Sequence, residues 1–416
     1  MNNTKRLESE VVLPLTKSRS FILLLMTTVV SSLSLSMFMF IQSWYVVESL
    51  DKEALLGIVL VCLTSMRMIS MVIGGVVADR GRQTRIMGFA DLSLAFLMLL
   101  LSVLFHYLSE VPIWILAVNA GLFGASGGMF EPSRDALLPK VVSVAQLTRA
   151  NSLLQGAIKI AMFSGPFLAG ILIHIASYSL VLVLIGLCLC ISGCSVFLIK
   201  VREDNLNNEG KGRDTFKVQL AEGFSYTWKS PLLRALFIIT IIVNFFISGP
   251  LMMGLPIFVE GVLQGTSVDF SYVQGSFTLG MILGSVLLGL LNIQRKRGSY
   301  ALYFIALQGA GMFIFSQVHS ILTAVVIIVF IGMLTTGVNI PLISLVQSSA
   351  NQAKVGRVMS LIRTGSLGLI PLSYAVTSML LGMGIKIQHL MAWSSLPLLV
   401  SVGVLYFLYP ILRTAD

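Results

Sequence analysis

Runs of about twenty apolar residues follow one another along almost the whole chain, each long enough to cross roughly 30 Å of hydrocarbon as a helix. The predicted spans lie at about 21–47, 54–78, 84–106, 112–130, 149–173 and 177–199, then about 232–259, 270–292, 299–318, 321–346, 358–381 and 389–411. One long polar stretch, Lys200 to Arg234, separates the first six from the second six. The pattern predicts an all-α integral membrane protein with twelve transmembrane helices arranged as two six-helix pseudo-symmetric halves. Its parts would be an N-terminal tail (1–18), a first half (19–199), a central loop (200–231) and a second half (232–416). An even number of spans puts both termini on one side.

Composition closes off soluble classes. Hydrophobic residues make up 56% of the 416 and charged ones 11%, with a mean hydropathy of +0.92, whereas a soluble domain is about a quarter charged. The first span is too long for the apolar core of a signal peptide and no small-residue cleavage pattern follows it, so it is expected to stay in the mature protein.

Charge then orients the bundle. Lys5, Arg6, Lys17 and Arg19, the turn Arg80 to Arg85, Arg134, Lys140 and Arg149, the central loop, and Arg295-Lys296-Arg297 all fall on the side of the termini. Lys52 and Lys386 fall on the other. This bias predicts that both termini and the central loop are cytoplasmic. The net charge of +10 is read as membrane topology and not as nucleic-acid binding. Cys62, Cys188, Cys190 and Cys194 sit inside apolar spans without His or acidic companions, so neither a metal site nor a disulfide is predicted.

The halves echo each other. Each has a basic turn after its second span (Asp79 to Arg85; Arg295 to Gly298), a glycine-bearing fourth span near proline (Gly121 to Pro132; Gly332 to Pro341), and an arginine opening its fifth (Arg149; Arg357). Internal repeats around a midplane site are how secondary transporters are built. Within the first turn, Gly74-Gly75-Val76-Val77-Ala78-Asp79-Arg80-Gly81-Arg82-Gln83-Thr84-Arg85 resembles the signature between the second and third helices of the major facilitator superfamily, with altered spacing after Arg80. The resemblance implies the fold of that superfamily and gives Gly75, Asp79, Arg80 and Arg85 the role of a cytoplasmic latch. Glycines permit close helix approach, and the acid suits a neighbouring helix N-terminus. Phe130 to Pro139, Gln146 to Ser152, and Gly356-Arg357-Val358-Met359-Ser360 are similar to segments of the macrolide-efflux and enterobactin-exporter branch. Gly156 and Gly165-Pro166-Phe167-Leu168-Ala169-Gly170 are similar to the antiporter motif of superfamily exporters, which implies outward transport for Gly156, Gly165, Pro166 and Gly170.

Charges inside the spans are the candidates for the transport path, because each costs on the order of 2.5 to 3.5 kcal/mol at a helix centre unless it meets a partner or a wet cavity. They are Arg67, Asp91, Lys159 and Arg363. Lys159 shares a helical face with Ser152 and Gln155, so Lys159 and Gln155 are read with Arg67 and Arg363 as lining a substrate cavity. The other reading is internal pairing: Asp91 with Arg80 or Arg85, and Arg67 with backbone carbonyls. Asp91 is the buried carboxylate best placed to carry a proton, with Glu48, Glu131 and Glu260 near span ends in reserve.

No phosphate-cradling loop, His-Glu-x-x-His or nucleophile elbow occurs in the sequence. Neither enzymatic activity nor a cofactor is predicted, and transport is expected to run on an ion gradient, with protons as the family expectation. The sequence therefore reads as a monomeric, proton-coupled exporter in the bacterial plasma membrane, moving an amphipathic drug or siderophore. Three cations against one anion tilt the cargo towards an anionic or zwitterionic molecule. The alternative is a lysophospholipid or glycolipid flippase of the same fold, and a membrane sensor or assembly factor lacks the soluble domain it would need.

Overall fold

The computed structural model describes residues 15–201, 216–291, 295–350 and 355–414. Twelve helices among them are long and apolar enough to cross a membrane. In the first half these are α1 (Arg19–Ser49), α2 (Glu53–Arg80), α3 (Gln83–Tyr107), α4 (Ile113–Val141), α5 (Leu147–Ile175) and α6 (Tyr178–Val196). After the shorter α7 (Phe216–Lys229), the second half has α8 (Pro231–Val262), α9 (Ser267–Leu291), α10 (Arg297–Ser316), α11 (Ile321–Ser349), α12 (Val355–Gly382) and α13 (Ile387–Leu408). Serines start several of them: Ser18, Ser177 and Ser230 accept hydrogen bonds from Phe21 N, Leu180 N and Leu233 N, satisfying donors that a helix start leaves open.

Two features depart from the hydropathy pattern. α4 runs on to Val141 through Pro132 and Pro139, well past the predicted end at 130, whereas α11 passes through Pro341 to Ser349, close to the predicted end at 346. Proline removes one donor, and dense packing of α4 on α2 outweighs that loss. Part of the polar segment is also helical: α7 packs against α12 and α8 and exposes a stacked pair, Phe224 and Trp228, with ring centroids 5.4 Å apart. Such aromatics suit a membrane–water interface. Residues 202–215 of that segment lie outside the described residues.

The two halves repeat each other in detail at several points. α1 ends in a π-helical turn, Tyr45–Ser49, closed by Leu50 N to Tyr45 O (3.1 Å) and Lys52 N to Val46 O (3.2 Å). α8 ends in another, Phe258–Val262, closed by Leu263 N to Phe258 O (3.0 Å) and Gly265 N to Val259 O (2.8 Å). Asp51 and Gln264 then take left-handed conformations, at φ 52 and 51, and the chain turns into the next helix. α4 meets α2 with Gly124 pressed against Leu63 O and Arg67 N; α11 meets α9 with Gly332 pressed against Phe277 O and Met281 N. A Cβ at either glycine would overlap backbone, so neither position tolerates a side chain.

The halves touch most extensively through two crossings, and Phe40 and Trp44 of α1 also stack on Phe270 of α9, with ring centroids 4.5 and 5.5 Å apart. α2 meets α12, where a Cβ on Gly57 would collide with Ser378, and Ser378 Oγ donates to Ala54 O. α5 meets α9, where a Cβ on Gly170 would stand 2.6 Å from Ser271 Cβ, and Ser267 Oγ donates to Gly170 O (3.2 Å). Both crossings lie at the end of the bundle opposite the termini. A glycine faces a serine in each, and the two residues trade places between them.

Candidate functional site

Followed towards the termini, the helix faces that touch at the crossings part. On α5, Ser152, Gln155, Gly156 and Lys159 continue the stripe of Phe167 and Gly170 at helical spacing, and all four are exposed. A Cβ on Gly156 would meet nothing within 4 Å. On α2, Gly75 continues the stripe of Gly57 and Met68 and also faces open space; on α9, Gly289 does the same beyond Ser271 and Gly275. The bundle is therefore closed at one end and split at the other, and the split is lined by the polar face of α5.

An ion pair between two helices of the bundle sits where the halves part. Arg67 of α2 donates through Nη2 to Glu131 Oε1 of α4, with side chains 27% and 26% exposed. The glycine seam of Gly121, Gly124 and Gly128 brings α4 close enough to α2 for this. The partner is a carboxylate where the sequence suggests carbonyls for Arg67, and Glu131 stands inside α4 where the sequence places it near a span end. The extension of α4 through Pro132 carries it inside the bundle.

Asp91 sits elsewhere. It is 0% exposed, between α1, α3 and α6, where Ser31 Oγ donates to Oδ1 and Ser192 Oγ to Oδ2, each at 2.6 Å. Two charge-assisted hydrogen bonds account for both oxygens, and the partners are hydroxyls where the sequence suggests Arg80 or Arg85. Lys159 is exposed and makes no hydrogen bond or ion pair among the described residues.

The latch and antiporter segments divide in the same way. The side chains of Asp79, Arg80 and Arg363 lie outside the described residues, though their helices are described. Arg82 and Arg85 are exposed and form no ion pair among the described residues. The turn between α2 and α3 is held by Gln83, whose Nε2 donates to Ala78 O (2.6 Å) and whose Oε1 accepts from Lys140 Nζ (3.1 Å). No sequence signal marks Gln83. Of the antiporter segment, Gly165 packs on Ser36 of α1, its absent Cβ leaving room at 2.6 Å, and Pro166 is buried beside it. Gly170 closes the crossing to α9, and Gly156 faces the split.

A duplicated bundle of twelve apolar helices, closed at one end and holding charged and amide side chains along a central split, is the build of a membrane transporter. The chain belongs to the Major Facilitator Superfamily, whose family description matches residues 24–374. It is 25% identical to "Macrolide efflux protein A" of Enterococcus faecalis over 310 residues, covering 70% of this chain and 90% of that protein. It is 23% identical to the "Staphyloferrin A transporter" of Staphylococcus aureus over 357 residues, 81% of this chain and 83% of that one. The fold is similar to a crystal structure of a point mutant of the nucleoside transporter NupG, with a TM-score of 0.73 at 11% identity over 94% of this chain and 100% of that chain. The protein is a multi-pass membrane transporter and not an enzyme.

Proposed function

We propose that the chain exports a small amphipathic molecule from the cytoplasm by alternating access, driven by proton entry. The observation that carries this reading is the half-buried Arg67–Glu131 pair beside a split closed at the far end. The basic residues on the side of the termini support a cytoplasmic split, and relatives named for macrolide efflux and staphyloferrin transport support export of drug-like or siderophore-like cargo. Coupling falls to Glu131. Its side chain is 26% exposed and holds a cation, so protonation would release Arg67 to the cargo. Asp91, enclosed by two serines with no exposed surface, is the second candidate. Gln155, Lys159, Arg67 and Arg363 form the binding face, and their charge favours an anionic or zwitterionic cargo over a cationic one. The segment Gly75, Asp79, Arg80 and Arg85 would latch the split when it closes. Gly156, Gly165, Pro166 and Gly170 let α5 tilt between α1 and α9.

The test uses inverted membrane vesicles carrying the chain, offered a labelled macrolide, a carboxylate siderophore and a cationic dye. An imposed proton gradient should drive accumulation, a protonophore should stop it, and sodium should do neither. Lys159→Gln and Arg363→Gln should weaken the siderophore and spare the dye. Accumulation that follows sodium, or a dye preferred by wild type with both variants unchanged on anions, contradicts the reading.

A further inference from the structure

The outer surface of the second half carries a cleft of about 430 Å³ between α9, α10 and α11. Every residue lining it is apolar, including Leu291 of α9, Leu307 and Ile314 of α10, and Phe330 of α11, with Gly311 keeping it open. On α9 the lining residues Gly284, Leu287 and Leu291 stand about half a turn from Ser271, Gly275 and Gly289, the face that meets the other half or the split. The cleft therefore opens away from the transport path, towards hydrocarbon. Along α10 it runs from Phe304 to Ile314, about 15 Å at 1.5 Å per residue, a long slot matched to a chain of methylenes.

Its end nearest the termini is basic. Leu291 leads into the turn Arg295-Lys296-Arg297, where Arg295 and Lys296 are exposed. Arg297 Nη1 donates to Ser344 Oγ of α11 (2.9 Å), pinning the turn to the third wall. Arg297 and Phe304 are two turns apart, or about 10 Å along the axis, so the cations sit where the headgroups of that leaflet begin while the slot lies among acyl chains. Apolar walls running into a cationic rim complement one molecule that every bilayer supplies, and a soluble anion would leave the slot empty. We infer that this cleft is a binding site for an anionic phospholipid, with one acyl chain between α10 and α11 and the phosphate on Arg295 and Lys296. A lipid held there ties α9, α10 and α11 together on the outside of the half that must move as a unit, whatever molecule is transported.

The experiment is native mass spectrometry of the full chain released from detergent doped with phosphatidylglycerol or phosphatidylcholine, alongside its thermal unfolding in each lipid. Each basic residue close to an anionic surface is worth about fivefold in affinity, so with two of them wild type should retain phosphatidylglycerol about twenty-five-fold better. The double variant Arg295→Gln, Lys296→Gln should bring the two lipids towards parity. In Gly311→Leu the new side chain enters the slot, its Cβ no nearer than 3.3 Å to Ile331, and retention of both lipids should fall while the folded yield is kept. Soluble glycerol phosphate should not compete. Equal retention of the two lipids by wild type overturns the headgroup assignment. Undiminished retention in Gly311→Leu overturns the cleft and leaves only general attraction of the membrane surface for basic residues.

Discussion

The first and second halves share a backbone plan but not a chemistry. Gly124 on Leu63 and Arg67 is matched by Gly332 on Phe277 and Met281, so Met281 occupies in the second half the position of Arg67 in the first. By the same superposition of α4 on α11, Glu131 corresponds to Asn339, which is exposed. At the place of Gly128, pressed on Arg67 O, stands Thr336, whose hydroxyl donates to Met281 O (3.0 Å). Likewise a Cβ on Gly186 of α6 would stand 3.3 Å from Ala95 O of α3, and a Cβ on Gly309 of α10 would stand 3.3 Å from Ser395 O of α13; matching Ala95 to Gly309 and Gly186 to Ser395 sets buried Ile305 at the place of Asp91. Packing constrains the glycines in both halves, because helix backbones must touch. Charge is free to differ, and the first half holds the Arg67–Glu131 pair and the buried Asp91. The difference separates what builds the fold from what does the transport.

The largest expected effect comes from making the first half like the second. Glu131→Asn or Arg67→Met alone leaves a charge without its partner at a cost of about 2.5 to 3.5 kcal/mol if it is not rewetted. Gradient-driven export should fall about a hundredfold in either. The double variant, which copies Met281 and Asn339, should recover folding but not export. Changing Asn339→Ala should leave both nearly intact. Transport by the double variant at wild-type rate would break the comparison. Thermal unfolding with vesicle uptake provides both readouts.

Next in size is the closed end. Gly57→Ser drives a side chain into Ser378 and Tyr374 O, overpacking that costs about 1 to 3 kcal/mol. It should bias the bundle towards opening at that end, read by thiol labelling of cysteines placed on either side. Adding Ser378→Gly recreates at α2–α12 the arrangement that α9 and α5 use at Ser271 and Gly170, and should restore closure. A double-mutant cycle with zero coupling would show that the two residues do not meet in the working protein.

The smallest effect on transport is expected at Asp91. Asp91→Asn keeps one acceptor and turns the other into a donor facing a serine. The loss is about 1 to 3 kcal/mol of stability, with turnover per folded molecule little changed. If gradient-driven export disappears while cargo exchange persists, coupling belongs to Asp91 and not to Glu131.

The number of spans and the charges within them are legible in the sequence, since each follows from local composition. The partners of those charges are not. Ser31, Asp91 and Ser192 come from three helices 60 and 101 residues apart along the chain, and serine is too common in membrane helices to mark the contact. Hydropathy places Glu131 outside the bundle because proline and nearby charge usually end a span, whereas here the glycine seam carries α4 onward. The stripe of Ser152, Gln155 and Lys159 is visible because one helix supplies it all, as spacing within a single helix is a sequence property.

The traded glycine and serine at the two crossings make the halves obligate partners of each other. Two copies of the first half would set Gly57 opposite Gly170 and leave a hole at the seal. Two copies of the second would set Ser271 opposite Ser378 and force it apart. Each half is thus fitted to its opposite and not to a second copy of itself. Replacing either half by its sibling should yield a leaky or a jammed protein.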